Sequence, residues 1–230
     1  MTGKYKAHTI YRNKAGKRVP GVTTITGELG WNTRQLVNWA NRIGLEGVDA
    51  NKYRDDKADI GTLGHLMITN MLQGKKTNTD DYSKNQIAAA KNSLQSFDAW
   101  AKDKDIKPVL IEKQLVSEVY QYGGTCDIFA IVDGEYQLID LKTGKGVYDE
   151  HLVQVAGGYD ILLAEHQHTT EKIRILNIPR SKGERFLDEE ITNPGCCKEI
   201  FLRCLQIYRL KKSLREQTFY EFTKEVSDGK

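Results

Sequence analysis

The chain lacks any apolar run long enough to cross a membrane. None of its hydrophobic stretches approaches the ~18 residues that a transmembrane helix requires, so we expect a soluble protein without a membrane partner. It also lacks internal repeats, low-complexity tracts and a nucleotide-binding P-loop. Its four cysteines, Cys126, Cys196, Cys197 and Cys204, do not form the two spaced pairs of a zinc site. We expect reduced, structural thiols in a reducing compartment.

The first 27 residues lack acidic side chains but contain six lysines or arginines. A basic, acid-poor N-terminus is compatible with an organellar transit peptide, which would direct the protein to mitochondria. The alternative is a β-hairpin, with strands over residues 8–11 and 19–25 and a turn at residues 13–16. We favour the hairpin because the segment VPGVTTI has the composition of a strand with a proline near its start.

Length and composition favour one compact domain with additions. The chain has 230 residues, of which 39% are hydrophobic, enough for a sizeable core. We predict an N-terminal hairpin and helix over residues 1–56, a core over residues 57–180 and a C-terminal helical extension over residues 181–230. The net charge of +3 is compatible with a nucleic-acid partner but does not predict one, because affinity for phosphates depends on local basic clusters.

The most informative stretch is residues 122–145, which reads YGGTCDIFAIVDGEYQLIDLKTGK. Residues 128–132 are apolar and largely β-branched, as in a buried strand. Asp133-Gly134 is a strong signal for a two-residue hairpin turn, and residues 136–142 then alternate with the period of a second strand. The stretch therefore predicts an antiparallel hairpin.

Two aspartates and a lysine are expected at one end of this hairpin. Because side chains alternate between the two faces of a strand, Asp140 and Lys142 share one face and Leu141 points away. Asp127 stands at the start of the preceding strand, and such a set can hold Mg²⁺ beside a reacting phosphate. The alternative is a salt bridge, worth ~0–1 kcal/mol at a surface. The Asp-x-Lys tripeptide occurs three more times in this chain, in polar surroundings.

The remaining periodicities predict five helices and two further strands. The helices are expected over about residues 33–45, 58–72, 87–101 and 150–164 and from Pro194 onward. One strand is expected from Pro108 to Val116, before the hairpin, and the other over residues 172–179. This order predicts an α/β fold with a central mixed sheet flanked by helices, an N-terminal hairpin and helix, and a C-terminal helix.

The order of elements and motifs resembles the PD-(D/E)XK nuclease superfamily, in its branch of RecB-like and related exonuclease domains. The motif is G-x-x-D, followed by D-x-K-T-G-K and a helix with a glutamine. The matching residues are Gly124, Asp127, Asp140, Lys142, Thr143, Gly144 and Gln154, with His65 upstream in GTLGH. The resemblance covers about residues 57–180. It implies the restriction-endonuclease-like αβββαβ core and a Mg²⁺-dependent DNA nuclease.

The same resemblance implies a metal shell. Its members would be His65, Glu112, Asp127, Asp140 and the Leu141 carbonyl. Mg²⁺ is the implied cofactor, and Mn²⁺ is expected to substitute for it. The alternative for His65 is a structural histidine on a helix. Gly61 and Gly64, just before it, are costly in a helix unless a close approach requires them.

Four residues are implied in catalysis, namely Asp127, Asp140, Lys142 and Gln154. Lys142 would orient or deprotonate the attacking water or stabilise charge, and the base role requires a pKa well below the ordinary value of ~10.4. Relatives carry a glutamine and a tyrosine four residues apart, whereas Gln154 and Tyr159 are five apart. In an α-helix, five residues rotate ~140° beyond a full turn. This spacing predicts that both side chains cannot face the site equally well.

DNA is the expected partner, through six candidate contact residues. They are Thr143, Tyr159, Arg180, Lys182, Arg209 and Lys212. Arg209 and Lys212 belong to the basic half of the last helix, for which a solvated face is the alternative. A homo-oligomer and a recombination or replication protein are further candidate partners, and any motor must be a separate chain.

No base-reading element is visible, which favours an exonuclease acting in recombination, repair or DNA processing. The alternatives are a structure- or site-specific endonuclease of the same fold and a catalytically silent DNA-binding protein. The cytoplasm of a bacterium or of a virus-infected host cell is the expected location, with the mitochondrion as the alternative.

Overall fold

The structure, a computed structural model, describes residues 9–228, with side chains up to residue 217. These residues form an α/β fold around a five-stranded mixed sheet. Its strands, in spatial order, are β3 (Ile106–Ser117), β4 (Tyr122–Val132), β5 (Glu135–Lys142), β6 (Lys172–Asn177) and β7 (Leu187–Glu190). Strands β5 and β6 run parallel, and the other neighbours are antiparallel.

The predicted β4–β5 hairpin is confirmed. Its turn residues Asp133-Gly134 have φ values of 52° and 92°, the left-handed conformations that a type I′ turn requires. The paired register of the two strands begins at Ile128 and Ile139. Asp127 and Asp140 therefore lie just beyond the paired region, at one end of the hairpin.

Helices cover both faces of the sheet, as predicted. They are α1 (Val22–Thr26), α2 (Thr33–Leu45), α3 (Ala50–Leu72), α4 (Lys84–Ala101), α5 (Asp149–Leu152), α6 (Asp160–Glu165) and α7 (Pro194–Asp228). On one face, Ile68 of α3 and Phe97 of α4 are fully buried against the sheet. On the other, Leu162 of α6 and Phe201 of α7 are equally buried. Apolar side chains on both faces of the central strands account for this layering.

The strand predicted over residues 19–25 is wrong in its second half. The N-terminal hairpin is short, with β1 (Tyr11–Arg12) and β2 (Arg18–Val19), and the chain then turns into α1. The Gly21 carbonyl accepts hydrogen bonds from the backbone N–H groups of Thr24 and Ile25, which starts the helix. A helix places Val22 and Ile25 on one side, and both are buried in the core. In a strand, the side chains of Val22 and Ile25 would point to opposite faces.

The helix predicted over residues 150–164 is interrupted in its middle. Between α5 and α6, residues Val153–Tyr159 form a π-helical turn, which we call the π segment. Hydrogen bonds in a π-helix span five residues rather than four. Side chains five apart therefore share a face, and the expectation that Gln154 and Tyr159 diverge is wrong.

Two further features complete the C-terminal part. Strand β7 was not predicted; Arg174 of β6 holds it through ion pairs with Asp188 and Glu190. Helix α7 begins at the predicted proline, and the Asn193 side chain accepts a hydrogen bond from the Cys196 N–H at 3.3 Å.

The four cysteines are free thiols, of which Cys196 is exposed and the others are buried. Within residues 9–228, no helix combines the length and the apolar character that crossing a bilayer would take.

Candidate active site

The sequence-predicted site residues meet in a cleft of about 600 Å³ at one end of the sheet. Helix α3, strands β3, β4 and β5 and the π segment all contribute to its walls. The predicted residues that line it are His65, Glu112, Asp127, Asp140, Leu141, Lys142, Thr143, Gln154, Tyr159 and Arg180. Lys182, Arg209 and Lys212 are not among its lining residues.

Three side chains in the cleft form a group that fits a metal ion. His65, Glu112 and Asp127 each offer one ligand atom, and these atoms lie within 4.8 Å of one another. The His65 Nδ1 is 3.5 Å from Asp127 Oδ2. Two carboxylates and an imidazole are a donor set that divalent cations accept. Asp140 is not a member of this group.

The backbone at Glu112 is strained. Its φ is 48°, in the left-handed region that side-chain-bearing residues seldom occupy. Such a conformation costs ~1–3 kcal/mol and persists only where surrounding structure enforces it. Strand β3 pairs with β4 on both sides of Glu112, from Ile111 with Ile128 to Lys113 with Cys126. The pairing holds this carboxylate in the cleft despite the cost.

Asp127 is anchored to the neighbouring strand. Its Oδ2 accepts a hydrogen bond of 2.9 Å from the Leu141 N–H. Burial raises the pKa of Asp127, although the nearby Lys142 charge and the Leu141 N–H act in the opposite direction. The hydrogen bond fixes the carboxylate next to the strand that carries Asp140 and Lys142.

Asp140 and Lys142 form a buried ion pair. Lys142 Nζ lies 2.6 Å from Asp140 Oδ2, and the lysine and aspartate side chains are 19% and 2% exposed. The Asp105–Lys107 pair has the same 2.6 Å separation, but its side chains are 62% and 67% exposed. The alternative of a surface salt bridge therefore describes Asp105–Lys107 and not Asp140–Lys142.

The contact between Asp140 and Lys142 is close but poorly directed. Asp140 Oδ2 is buried, and Lys142 Nζ approaches it to 2.6 Å outside ideal hydrogen-bond angles. A carboxylate oxygen has two lone pairs, so Asp140 Oδ2 can accept a metal ion in addition to the lysine.

The carboxyl groups of the cleft have raised pKa values. Burial, followed by the charges of Asp127 and Asp140, raises the pKa of Glu112 to about 8. Burial also raises the pKa of Asp140 to about 6, against the effect of Lys142. Negative charges crowded in a buried space disfavour one another. A cation bound among them would relieve this repulsion.

The charge state of Lys142 limits what it can do. Burial by itself would lower its pKa, but the attraction of Asp140 and Asp127 outweighs burial and raises the pKa above the ordinary value. Lys142 is therefore protonated at neutral pH. In the metal-free protein, the two aspartates therefore act against the lowered pKa that a general base would need.

His65 is neutral in this environment. Burial, followed by the Lys142 charge, lowers its pKa to about 4, so its ring retains a lone pair at neutral pH. A Cβ at Gly61 would lie 2.6 Å from Thr143 Oγ1, and one at Gly64 would lie 3.3 Å from Ser93 Cβ. The two glycines are thus positions of close approach, which accounts for their presence in α3.

The π segment brings Gln154 and Tyr159 together. Gln154 Nε2 donates a hydrogen bond of 2.8 Å to the Tyr159 hydroxyl, and both residues line the cleft. A Cβ at Gly124 would lie 2.6 Å from the Tyr159 ring. The glycine of the G-x-x-D motif therefore makes room for the tyrosine.

The residues expected to contact DNA lie in different environments. Arg180 is half enclosed by an ion pair with Glu184 and a hydrogen bond to the Lys57 carbonyl. Arg209 donates a 2.7 Å hydrogen bond to the Tyr120 carbonyl. Lys212 lies 3.7 Å from Glu216 on the exposed side of α7. Lys182 is exposed.

Several lining residues were not found from the sequence, and Tyr11 is the clearest case. Its hydroxyl lies 2.9 Å from Thr125 Oγ1, which connects β1 to β4. A Cβ at Gly123 would lie 2.5 Å from the Tyr11 ring. The Gly-Gly pair in the sequence was the available signal that something packs closely there. Thr23, Thr62 and Gln114 also line the cleft.

No protein-family model matches the chain, and no curated protein matches it. Among solved structures, the crystal structure of SSO0001 is similar, with a TM-score of 0.39 and 15% sequence identity. The similarity covers 87% of this chain and 79% of that chain.

Proposed function

We propose that this chain is a Mg²⁺-dependent DNA nuclease of the PD-(D/E)XK superfamily, acting as an exonuclease. The observation that carries the proposal is the buried Asp140–Lys142 pair beside the His65, Glu112 and Asp127 group in one cleft. Binding of DNA alone does not require a set of metal ligands, which argues against a catalytically silent binding protein. The run of β3, β4, β5, the interrupted helix and β6 also agrees with the αβββαβ order expected for the superfamily.

The side chains of the cleft suit a hard divalent cation. Glu112 and Asp127 supply carboxylate oxygens, His65 supplies a neutral imidazole, and Asp140 supplies an oxygen without a directed hydrogen bond. Oxygen donors predominate, as Mg²⁺ prefers, and Mn²⁺ also accepts an imidazole. Burial is the main cause of the raised pKa values of Glu112 and Asp140, and the negative charge of neighbouring aspartates adds to it, so a bound cation would favour the ionised forms. When bound, the cation would activate water and neutralise charge on the phosphate.

Lys142 acts as a cation in this mechanism and not as a base. In the metal-free protein its pKa is raised by two aspartates, so it is positively charged at neutral pH. We assign it the role of holding Asp140 in place and stabilising the negative charge that develops on the phosphate oxygens. Of the roles open from the sequence, proton abstraction is the one that this charge state disfavours.

Gln154 positions the attacking water or the scissile strand. Its side-chain nitrogen donates one hydrogen bond to the Tyr159 hydroxyl and has a second N–H to donate, and its carbonyl oxygen can accept a hydrogen bond. Tyr159 in turn holds Gln154 in orientation and packs against Gly124. The π segment thus presents one polar group to the cleft in a fixed geometry.

The proposal is tested by incubating the full chain with end-labelled linear DNA and with closed circular DNA, in Mg²⁺ or in EDTA. We expect Mg²⁺-dependent degradation of the linear DNA from its ends, with the circles spared and no cleavage in EDTA. Rapid cutting of relaxed circles would identify an endonuclease instead. Absence of metal-dependent cleavage on any DNA or RNA would contradict the nuclease assignment and favour a silent DNA-binding protein.

A further inference from the structure

A second cleft of about 520 Å³ lies on the N-terminal side of the candidate active site. It runs between the β1–β2 hairpin, helix α1 and the middle of helix α7. Its lining residues are Thr9, Ile10, Tyr11, Arg18, Val19, Pro20, Gly21, Thr23, Thr24, Tyr208 and Lys212. We call it the hairpin groove.

The hairpin groove adjoins the active-site cleft. Thr9, Tyr11 and Thr23 line both. Tyr11 stands at the junction, with its hydroxyl 2.9 Å from Thr125 Oγ1 on the active-site side. The two clefts are therefore neighbours that share a wall at these three residues.

The two clefts differ in the charges of their linings. The active-site cleft contains the carboxyl groups of Glu112, Asp127 and Asp140 together with the cationic side chains of Lys57, Lys142 and Arg180, whereas none of the described lining residues of the hairpin groove is acidic. The hairpin groove is lined by Arg18 and Lys212, both exposed to solvent. Lys212 has Glu216 3.7 Å away, an exposed pair that water screens.

The groove also provides neutral groups that nucleic acids use. Thr23 and Thr24 present exposed hydroxyls, which can donate to phosphate oxygens. Tyr208 on α7 is partly exposed and provides an aromatic surface for a base. A basic groove with an aromatic side chain is the usual composition of a site for single-stranded nucleic acid.

We propose that the hairpin groove holds one single strand of nucleic acid on one side of the scissile phosphate. Arg18 and Lys212 pair with its phosphates, Tyr208 stacks on a base, and the strand passes Tyr11 and Thr23 into the active site. The proposal rests on the nuclease function proposed above. It adds that the substrate must present a single-stranded end or overhang.

The dimensions favour one strand over a duplex. Both clefts have the volume of a small-molecule site, for which about 300–1,000 Å³ is typical. A double helix is stiff over tens of nanometres and would lie across such clefts instead of bending into them. A single strand can follow a bent path because its bases are not paired.

The test measures binding without cleavage. Fluorescently labelled oligo(dT) of 15 nucleotides and a 15-base-pair duplex are titrated with the full chain in EDTA, at several salt concentrations. The variant Arg18→Glu/Lys212→Glu is compared with Lys14→Glu/Arg203→Glu, which makes the same change of charge at exposed residues outside the groove. Melting curves verify that both variants are folded.

We expect the wild type to bind the single strand more tightly than the duplex. The groove variant should bind it at least tenfold more weakly, and the slope of log K against log [salt] should fall in magnitude by about 1.4, for two lost phosphate contacts. Tyr208→Ala should also weaken binding about tenfold, whereas Tyr208→Phe should not. The control variant should keep the wild-type salt slope.

Equal loss of binding in the groove and control variants would overturn the proposal, because it would indicate nonspecific attraction to a basic surface. Preference for the duplex would overturn it as well. Binding is measured in EDTA and is therefore independent of cleavage. If the chain cleaves nothing but binds tightly through the groove, the nuclease assignment is refuted and the proposal for the hairpin groove stands. If the groove variant cleaves as fast as the wild type at substrate concentrations below KM, the proposal for the hairpin groove is refuted and the nuclease assignment stands.

Discussion

Several residues of the cleft carry ionisable side chains that are buried, and burying their charges destabilises the metal-free protein. Glu112 has a left-handed backbone and a carboxyl group whose pKa is raised to about 8. Asp140 is 2% exposed and has a pKa raised to about 6. Lys142 partly offsets their charge. Buried ionisable groups with strongly shifted pKa values are typical of functional sites, where the residues needed for function destabilise the fold locally.

Glu112 gives a prediction about pH. Its pKa is 4.5 in the absence of the fold and about 8 in the folded protein, so between these values the folded state binds the additional proton. The contribution of Glu112 to the stability of the metal-free protein should therefore be lost as pH rises from 5 to 8, whereas the lowered pKa values of His65 and His151 act in the opposite direction up to about pH 6.5. Glu112→Gln should remove this contribution and raise the free energy of unfolding at pH 8 by about 1–3 kcal/mol, allowing for solvent screening of a partly exposed group.

Urea denaturation in EDTA at pH 5 and pH 8 measures this effect. Glu189→Gln, on exposed β7, is the control and should alter the pH dependence little. A Glu112→Gln variant whose stability changes with pH as the wild type's does would show that Glu112 is ionised in the folded protein throughout this range.

At the scale of secondary-structure elements, the π segment decides the geometry of the site. A regular α-helix would turn Gln154 and Tyr159 away from each other, and the π-helical turn joins them by a hydrogen bond. Its glycines allow helix α7 to approach. A Cβ at Gly157 would lie 2.6 Å from the Cys197 carbonyl oxygen and 2.7 Å from Phe201 Cβ.

Gly157→Ala should therefore destabilise the fold. The Cys197 carbonyl belongs to a helix backbone and cannot move aside, so overpacking should cost ~1–3 kcal/mol. Gly44→Ala, in α2, is the matched control because a methyl group added there would meet nothing within 4 Å; it should be neutral or stabilise by ~0.4–1 kcal/mol. Thermal or urea unfolding of both variants tests the difference. Equal stability of the two would contradict the close packing of the π segment on α7.

Secondary-structure elements whose sequence signals lie within their own residues could be predicted from local patterns alone. The Asp133-Gly134 turn set the β4–β5 hairpin, and alternation placed Asp140 and Lys142 on one face, where they meet. The predicted starts of α2 and α7 were also correct, at Thr33 and Pro194. In each case short-range chemistry and the final packing agree.

What could not be predicted depends on contacts between distant segments. The segment VTTI has strand composition, but burial of Val22 and Ile25 on one side selects a helix. The π segment packs closely on α7, and the hydrogen bond of Tyr11 to Thr125 joins residues 114 apart in sequence. Single-sequence periodicity contains no information about such partners.

At the scale of the whole molecule, the candidate metal group joins three separate elements. His65 comes from α3, Glu112 from β3 and Asp127 from β4. A ligand that bridges separate elements of the native state binds the folded protein and not the unfolded chain, so it stabilises the fold by mass action. Metal binding should therefore be visible as a change in global stability, independent of any assay of activity.

Mn²⁺ at 100 times its Kd should stabilise the protein by about 2.7 kcal/mol, which for a chain of this size raises Tm by ~5–10 °C. Asp127→Asn and His65→Ala should lose most of this shift, because each removes one ligand. Asp105→Asn should retain it, since Asp105 forms the exposed Asp-x-Lys pair. Differential scanning calorimetry with and without Mn²⁺ measures the shift. A full shift in Asp127→Asn would place the metal elsewhere.

The most direct test of the central claim is the rate at which Lys142→Ala cleaves end-labelled linear DNA in Mg²⁺. Lys107→Ala is the matched control, because Lys107 also pairs with an aspartate two residues before it but is exposed. We predict that Lys142→Ala binds Mn²⁺ in a calorimetric titration and cleaves at least ~100-fold more slowly than the wild type, as expected when a transition-state charge partner is lost. Lys107→Ala should cleave normally. Wild-type cleavage by Lys142→Ala would contradict the mechanism.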